Sequence, residues 1–525
     1  MGRFQRAVAL ALVPVLLLTS CATLPRELHR DLQPPKHASR VDSGAPYLIA
    51  HMRDGHAYVL DSWTIDEATR TVAGRGRLLD ARRTAVGGGD AYTIPVDSVA
   101  LFETNVVRVP AEAVVIAGLT IVIGIAAVVG LAVLAACIAD PKCFGSCPTF
   151  YVWDGERMKL QAEGFSASVS PSLEATDVDA LPRARPDGRT LEVVMKNEAP
   201  ETHVVRYVHV LAALRPPGGL VYAATDGSFR QVTRVIPPRR CSAAEGDVTE
   251  ALREFDGRER SSVTDSTDLA ARETIEIAFA PVPEGEVGLV LASRQSLLTS
   301  YLFYQGLAYL GRSAGAWLAS IERGVPGALN QAAGIGSVLG GIEIQTLAED
   351  GTWRRVAEVR ETGPLATDVR VIPLPAGALS TTAPVVRLRM ARGAWRVNQI
   401  ALAVLGGRVE PIRLSPERVL KEDRPDEDAR SRLADTTRAL VTLPGDTYSI
   451  RYRLPEHPER YELFLETRGY YLEWVREQWL ATEDPVRAAT MGARPREALR
   501  AMAPEYKRIE AEFERNFWGN RHAEP

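Results

Sequence analysis

Ile342-Glu-Ile-Gln-Thr-Leu347 runs into Glu349-Asp-Gly-Thr352 and then into Trp353-Arg-Arg-Val-Ala357. Apolar and polar side chains alternate in the first segment, so one face turns inward and the other outward. Asp350-Gly351 supplies the turn that joins it to the Trp353 segment, so the stretch reads as a β-hairpin. The same grammar extends outward. Residues 369–374, 385–390 and 395–405 read as further strands on the C-terminal side. On the N-terminal side, Phe150-Tyr-Val-Trp153, Asp154-Gly155 and Arg157-Met-Lys-Leu-Gln161 form another hairpin. Residues 191–196, 204–214, 275–280 and 287–292 continue the pattern, with Asp187-Gly188 and Asp226-Gly227 as turns. Residues 47–107 are also β, folded around Asp54-Gly55 as a small meander or barrel.

The order of segments from Ile342 to Leu405 resembles part of a jelly roll of the galactose-binding, discoidin-like type. There too a strand, a turn and a Trp-led strand precede an apolar edge and a strand like Val386-Arg-Leu-Arg389. The likeness implies a β-sandwich and carries no ligand residues with it.

Two regions change period. Leu298, Leu302, Gln305, Tyr309, Leu310, Trp317 and Ile321 recur at helical spacing, so residues 296–323 read as a helix or helical pair. Residues 324–341, rich in Gly, Ala and Pro, read as a loop. Near the end, Leu472, Val475 and Trp479 share a helical face. Pro485 and Pro495 stand where helices begin, and Tyr506, Ile509, Phe513 and Phe517 form a stripe ahead of Gly519 as a C-cap. The expected fold class is mainly β with α. It comprises a small β meander or barrel, one long hydrophobic helix or hairpin, a β-sandwich-rich centre with a helical insertion, and an α-helical C-terminus.

The chain has 525 residues, room for three or four domains of about 150 residues each. The expected order is a signal peptide at 1–20, a lipidated tether at 21–46 and an all-β domain at 47–110. A hydrophobic segment at 113–139 follows, then a β-rich domain at 147–293 with a helical insertion at 294–341. A sandwich-like segment at 342–412, a charged linker at 413–435 and an α-rich region at 436–525 complete it. Net charge is −4 and the basic residues are scattered, so nucleic acid is not an expected partner.

Arg3 and Arg6 form a positive start, residues 7–18 an apolar run too short to span a bilayer, and Leu18-Thr19-Ser20-Cys21 follows at once. This resembles the signal peptide and lipobox of bacterial lipoprotein precursors. The resemblance implies cleavage before Cys21, diacylglycerol on its sulfur and acylation of the new amino terminus. Each buried methylene adds about 0.8 kcal/mol, so several chains anchor durably. Ala22 after the cysteine resembles a sorting choice for the outer membrane.

A second apolar run conflicts with that address. Residues 113–139 are 27 in a row without a charge. As a helix they extend about 40 Å, more than a hydrocarbon core of about 30 Å. A single crossing implies the inner membrane; a buried or hairpin segment leaves the outer-membrane address intact. Beyond the run, Cys143 and Cys147 are spaced to close a small disulfide, and Cys147 with Cys241 is a second pairing. Free thiols and a zinc half-site are the other readings, the last without a second ligand pair.

Neither a phosphate loop nor a His-Glu-x-x-His motif is present. No motif calls for a cofactor. Glu174, Asp177 and Asp179 are the best carboxylate cluster for acid–base chemistry or calcium. His203 and His209, six apart on one strand, are expected on one face. Trp153, Tyr151, Trp353 and Trp395 read as sandwich core, or as sugar platforms where exposed. The leading expectation is a non-catalytic envelope lipoprotein that binds or scaffolds protein or glycan. A periplasmic hydrolase using the carboxylates and a membrane-assembly accessory that oligomerises through residues 113–139 are the alternatives. Replacing Cys21 by Ser is expected to abolish incorporation of radioactive palmitate; unchanged labelling contradicts the anchor.

Overall fold

The computed structural model describes residues 27–33, 35–45, 47–52, 56–79, 85–108, 147–199, 201–322, 326–348, 351–360, 363–434, 438–443, 445–473 and 482–519. The lipobox with Cys21, residues 113–139 and Cys143 lie outside them. Among the described residues no helix is long and apolar enough to cross a membrane.

The first unit is a single antiparallel sheet. Its strands are β1 (Glu27–Gln33), β2 (Leu48–Met52), β3 (Ala57–Asp66), β4 (Thr71–Leu79), β5 (Ala85–Pro95) and β6 (Val99–Arg108). They lie in the order β1-β6-β2-β3-β4-β5. Leu48, Leu60, Val72, Ile94 and Phe102 form its core. The expected tether at 21–46 is corrected here: residues 27–33 are a strand that covers the edge β6 would otherwise expose.

The body is two β-sandwiches, one nested inside the other. The outer one begins with β7 (Thr149–Trp153), β8 (Met158–Glu163), β9 (Ala175–Ala180), β10 (Thr190–Lys196) and the long β11 (Glu201–Leu214). The chain then leaves to build the inner sandwich. β12 (Leu220–Ala223), β13 (Phe229–Ile236), β14 (Pro238–Ala243), β15 (Arg272–Phe279) and β16 (Val287–Gln295) precede three helices, α1 (Leu297–Leu310), α2 (Ala314–Glu322) and α3 (Pro326–Leu339). β17 (Ile342–Leu347), β18 (Trp353–Val359), β19 (Asp368–Pro373), β20 (Val385–Ala391) and β21 (Trp395–Val409) finish it. One inner sheet runs β12-β13-β21-β16-β19 and the other β14-β15-β20-β17-β18. Ile275, Ile277, Leu289, Leu388, Trp395 and Ile400 fill its core.

The outer sandwich is then completed from the far end of the insertion. β22 (Ile412–Leu414), β23 (Arg418–Lys421), α4 (Glu427–Ala434), β24 (Leu440–Thr442), β25 (Thr447–Arg453) and β26 (Tyr461–Glu473) return to it. β10 pairs with β25, and β11 pairs with β26 from Leu214↔Tyr461 to Glu201↔Glu473. Val193, Met195, Val208, Ile450, Tyr452 and Leu465 share one core. The buried Tyr452 hydroxyl donates to the Val208 carbonyl at 2.9 Å. Finally α5 (Pro485–Ala493) and α6 (Pro495–Gly519) fold back over the inner sandwich.

The mainly β fold with a sandwich and C-terminal helices is as expected; the consecutive domain order is not. Residues 413–435 are no plain linker, because they contribute β23 and α4. Leu440–Thr442, Thr447–Arg453 and Tyr461–Glu473 are strands, not part of an α-rich region. The reason is burial: β26 is covered on both faces, so its sequence lacks the alternation that marks a half-buried strand. The Gly-rich stretch 326–339 is helix rather than loop, opened by Pro326 at its first position.

Leu465→Ala is expected to cost about 2–5 kcal/mol, the usual range for a buried leucine. Hydrogen exchange should then rise in β10 as well as in β26. Exchange that rises only in residues 412–473 contradicts the shared core.

Candidate functional site

The helices inserted between β16 and β17 form the site. Ser296 caps α1, its hydroxyl accepting from the Leu298 amide at 3.2 Å and donating to the Gly393 carbonyl at 2.6 Å. The cap therefore fixes the helix start to the inner sandwich. Farther along α1, the buried Tyr304 hydroxyl donates to Glu473 at 2.6 Å, with Glu201 at 3.3 Å. Those two carboxylates stand opposite each other at the end of the β11–β26 ladder. α1 is thus held by both sandwiches.

α5 and α6 close the other side. Asp484 caps α5 by accepting from the Arg487 amide at 3.0 Å. Arg487 donates to the Tyr309 hydroxyl at 2.7 Å and, through two nitrogens, to Glu505 at 2.8 and 2.9 Å. Burial pushes the Tyr309 hydroxyl up to about 12, so it stays protonated there. α6 lays Leu499, Met502, Tyr506 and Phe513 onto the core, with the Tyr506 and Tyr301 rings 4.8 Å apart.

Between α1, α3 and α5 lies a cavity of about 230 Å³. Each helix gives it one face: Thr299, Phe303, Gly306 and Leu310 from α1, Gln331, Ile335 and Leu339 from α3, Ala488 and Met491 from α5. Trp317 of α2 closes an end, its indole N–H donating to Gln331 at 3.1 Å. Gly306 thins the wall: a β-carbon there would stand 3.4 Å from the Met491 methyl. α1 and α3 carry no charged side chain, and no titratable group lines the cavity. Pockets for drug-sized molecules run to about 300–1,000 Å³, so this one suits a short hydrocarbon stretch or a large apolar side chain.

The carboxylates singled out from sequence lie elsewhere, and two of the three, Glu174 and Asp177, are held in ion pairs. Glu174 accepts from Arg206 at 2.9 Å and Arg468 at 2.7 Å. Asp177 and Asp179, two apart on β9, face β19, where Arg370 reaches Asp177 at 3.4 Å and also binds Asp368. Asp179 Oδ2 and Asp368 Oδ1 are buried without a hydrogen-bond partner. Burial, with Asp177 and Asp368 close by, holds Asp179 protonated well above the usual carboxylate range. Among the described residues no group of ligands is arranged to hold a metal ion.

His203 and His209 do not share a face. The β11–β26 register slips between Val205 and Tyr207, and this one-residue bulge turns an even spacing odd. His203 meets Glu201 at 3.2 Å, while His209 stacks on Tyr207 and lies 3.5 Å from Glu466. The Cys147–Cys241 pairing is also corrected. Cys147 sits in the outer core with its thiol 3.7 Å from Glu163, and Cys241 is a free thiol in the inner core. Burial pushes the Cys241 thiol up to about 12, leaving it unreactive. Trp395 is core, Trp353 lies under the Arg387 guanidinium at 3.8 Å, and Trp153 is partly exposed. The cavity itself had no sequence signal, because its walls come from segments about 150 residues apart.

No family model and no curated protein matches the chain. Among solved structures, a β-porphyranase of glycoside hydrolase family 86 from the human gut bacterium Bacteroides plebeius matches 44% of this chain and 36% of its own, at 8% identity and TM-score 0.17. The chain thus spans about a third of that protein. Infectious bursal disease virus, Gx strain, matches over 93% and 88% at 10% identity and TM-score 0.15. The GH31 alpha-xylosidase from Xanthomonas citri matches over 84% and 38% at 9% identity and TM-score 0.14. At these scores no property passes from any of them to this chain.

Asp179 gives a pH signature. Its folded form keeps a proton that the unfolded chain releases near pH 4, so the native state binds more protons and stability falls as pH rises. Asp179→Asn removes that loss. The variant is expected to show a higher urea midpoint than the native protein at about pH 7.5 and a smaller gain at about pH 4. An equal gain at both contradicts the assignment.

Proposed function

We propose that this protein is a membrane-anchored envelope lipoprotein that binds another envelope component without transforming it. The α1–α3–α5 cavity takes an apolar part of that component. The carrying observation is the lining: apolar faces of three helices with Gln295, Thr299 and Gln331 as the polar groups. Such a surface rewards removal of hydrocarbon from water and offers little to a sugar hydroxyl or a phosphate. The favoured partner is therefore an acyl chain or an apolar segment of an envelope protein. Burying one leucine-sized group is worth about 1.5–3 kcal/mol, so the cavity selects among partners more than it supplies high affinity alone. The anchor at Cys21 would keep the site at the membrane, where such partners are concentrated.

The test is titration of the purified Cys21→Ser protein with a fluorescent fatty acid, read by energy transfer from tryptophan. Saturable transfer is expected, with Gly306→Trp weakening it by at least about tenfold, equivalent to about 1.4 kcal/mol. Gly306→Ala, whose added carbon makes an ordinary contact, should bind nearly as well. Equal binding by Gly306→Trp, with its thermal unfolding unchanged, overturns the cavity as the site.

A further inference from the structure

The structure constrains how this chain meets its membrane. β1 and β6 pair antiparallel, with Glu27 directly opposite Arg108. Cys21 lies six residues before Glu27, and the uncharged run starts five residues after Arg108. At about 3.3–3.6 Å per residue, both distances are at most about 22 Å. The residue that resembles a lipid attachment site and the apolar run therefore leave the same end of one strand pair.

The second observation is packing. β1 lies against α2 and against the turn that precedes it. α2 belongs to the body built from residues 147–519, where its Ile321 carbonyl accepts from Ser172 at 2.6 Å. The sheet before the apolar run and the sandwiches after it are in direct contact, so no bilayer separates them.

We propose that residues 27–108 and residues 147–519 lie on the same side of the membrane, so that residues 113–139 make no complete crossing. A chain that must return to its starting side needs two crossings or none. Two helical crossings need about 40 apolar residues, and the run has 27. Sidedness rests on the packing alone; the extracytoplasmic compartment rests on the lipid-anchor reading. Together they remove the conflict between Ala22 and the apolar run, and the outer-membrane address stands.

The test uses the full chain with Cys137→Ser and Cys143→Ser, carrying either Ser62→Cys or Glu284→Cys. Both added positions are exposed, one on each side of the run. Spheroplasts are treated with a membrane-impermeant maleimide, with and without detergent. Equal labelling of both positions without detergent is expected. Labelling of Ser62→Cys alone, with Glu284→Cys reached only after lysis, means a single crossing and overturns the proposal. Protection of both until lysis supports common sidedness while defeating the exported-lipoprotein reading, so the two failures are distinguishable.

Discussion

The antiparallel ladder between Glu201–Leu214 and Tyr461–Glu473 is the constraint on which the body depends. Leu214 and Tyr461 are neighbours across it although the whole inner sandwich intervenes in sequence. Closing a loop of that length costs about 5 kcal/mol beyond a constant term on a logarithmic estimate. That cost is modest beside the gain from a core filled by Val205, Val208, Val210, Leu463 and Leu465. The insertion is tolerated because it folds on its own core and so behaves as a short, rigid connection. Leu211, Ala213 and Phe464 then meet Val221 and Ala223, welding the outer sandwich to the inner one.

The candidate site inherits its position from this ladder. Glu201 and Glu473 close its end, and the Tyr304 hydroxyl of α1 donates to Glu473 with Glu201 beside it at 3.3 Å. A second link runs through Glu163 of β8, buried and accepting from the Leu365 amide at 2.7 Å. Gly363, at φ +76°, lets the backbone approach that carboxylate; a β-carbon there would stand 2.6 Å from its oxygen. α1 is thus pinned to both sandwiches, and the sandwiches to each other. A cavity with one wall so fixed is partly pre-organised, which favours a binding site for a small apolar group.

Much of the local structure was legible in the sequence. Asp154-Gly155 and Gly351 mark hairpin turns, and both glycines adopt the positive φ that such turns need. Asp484-Pro485 opens a helix, and Tyr506, Ile509 and Phe513 are core. Pairing was less legible. Nothing in residues 190–214 announces partners at 447–473, since strand pairing follows from packing across the whole fold. β26, buried on both faces, hid its period, and the bulge beside Arg206 separated two histidines that counting placed together. Of the carboxylates read as a reactive cluster, Glu174 pairs with Arg206 and Arg468 and Asp177 with Arg370, while Asp179 is buried apart from them. Each is a property of three-dimensional neighbours, which residue spacing does not carry.

Whether the helical cavity holds an apolar group in the cell is read by native mass spectrometry of the Cys21→Ser protein, isolated without detergent beside its Gly306→Trp variant. A non-covalent hydrophobic adduct is expected on the first protein and absent from the second. Identical spectra for the two folded proteins, with the adduct on both or on neither, would contradict that expectation.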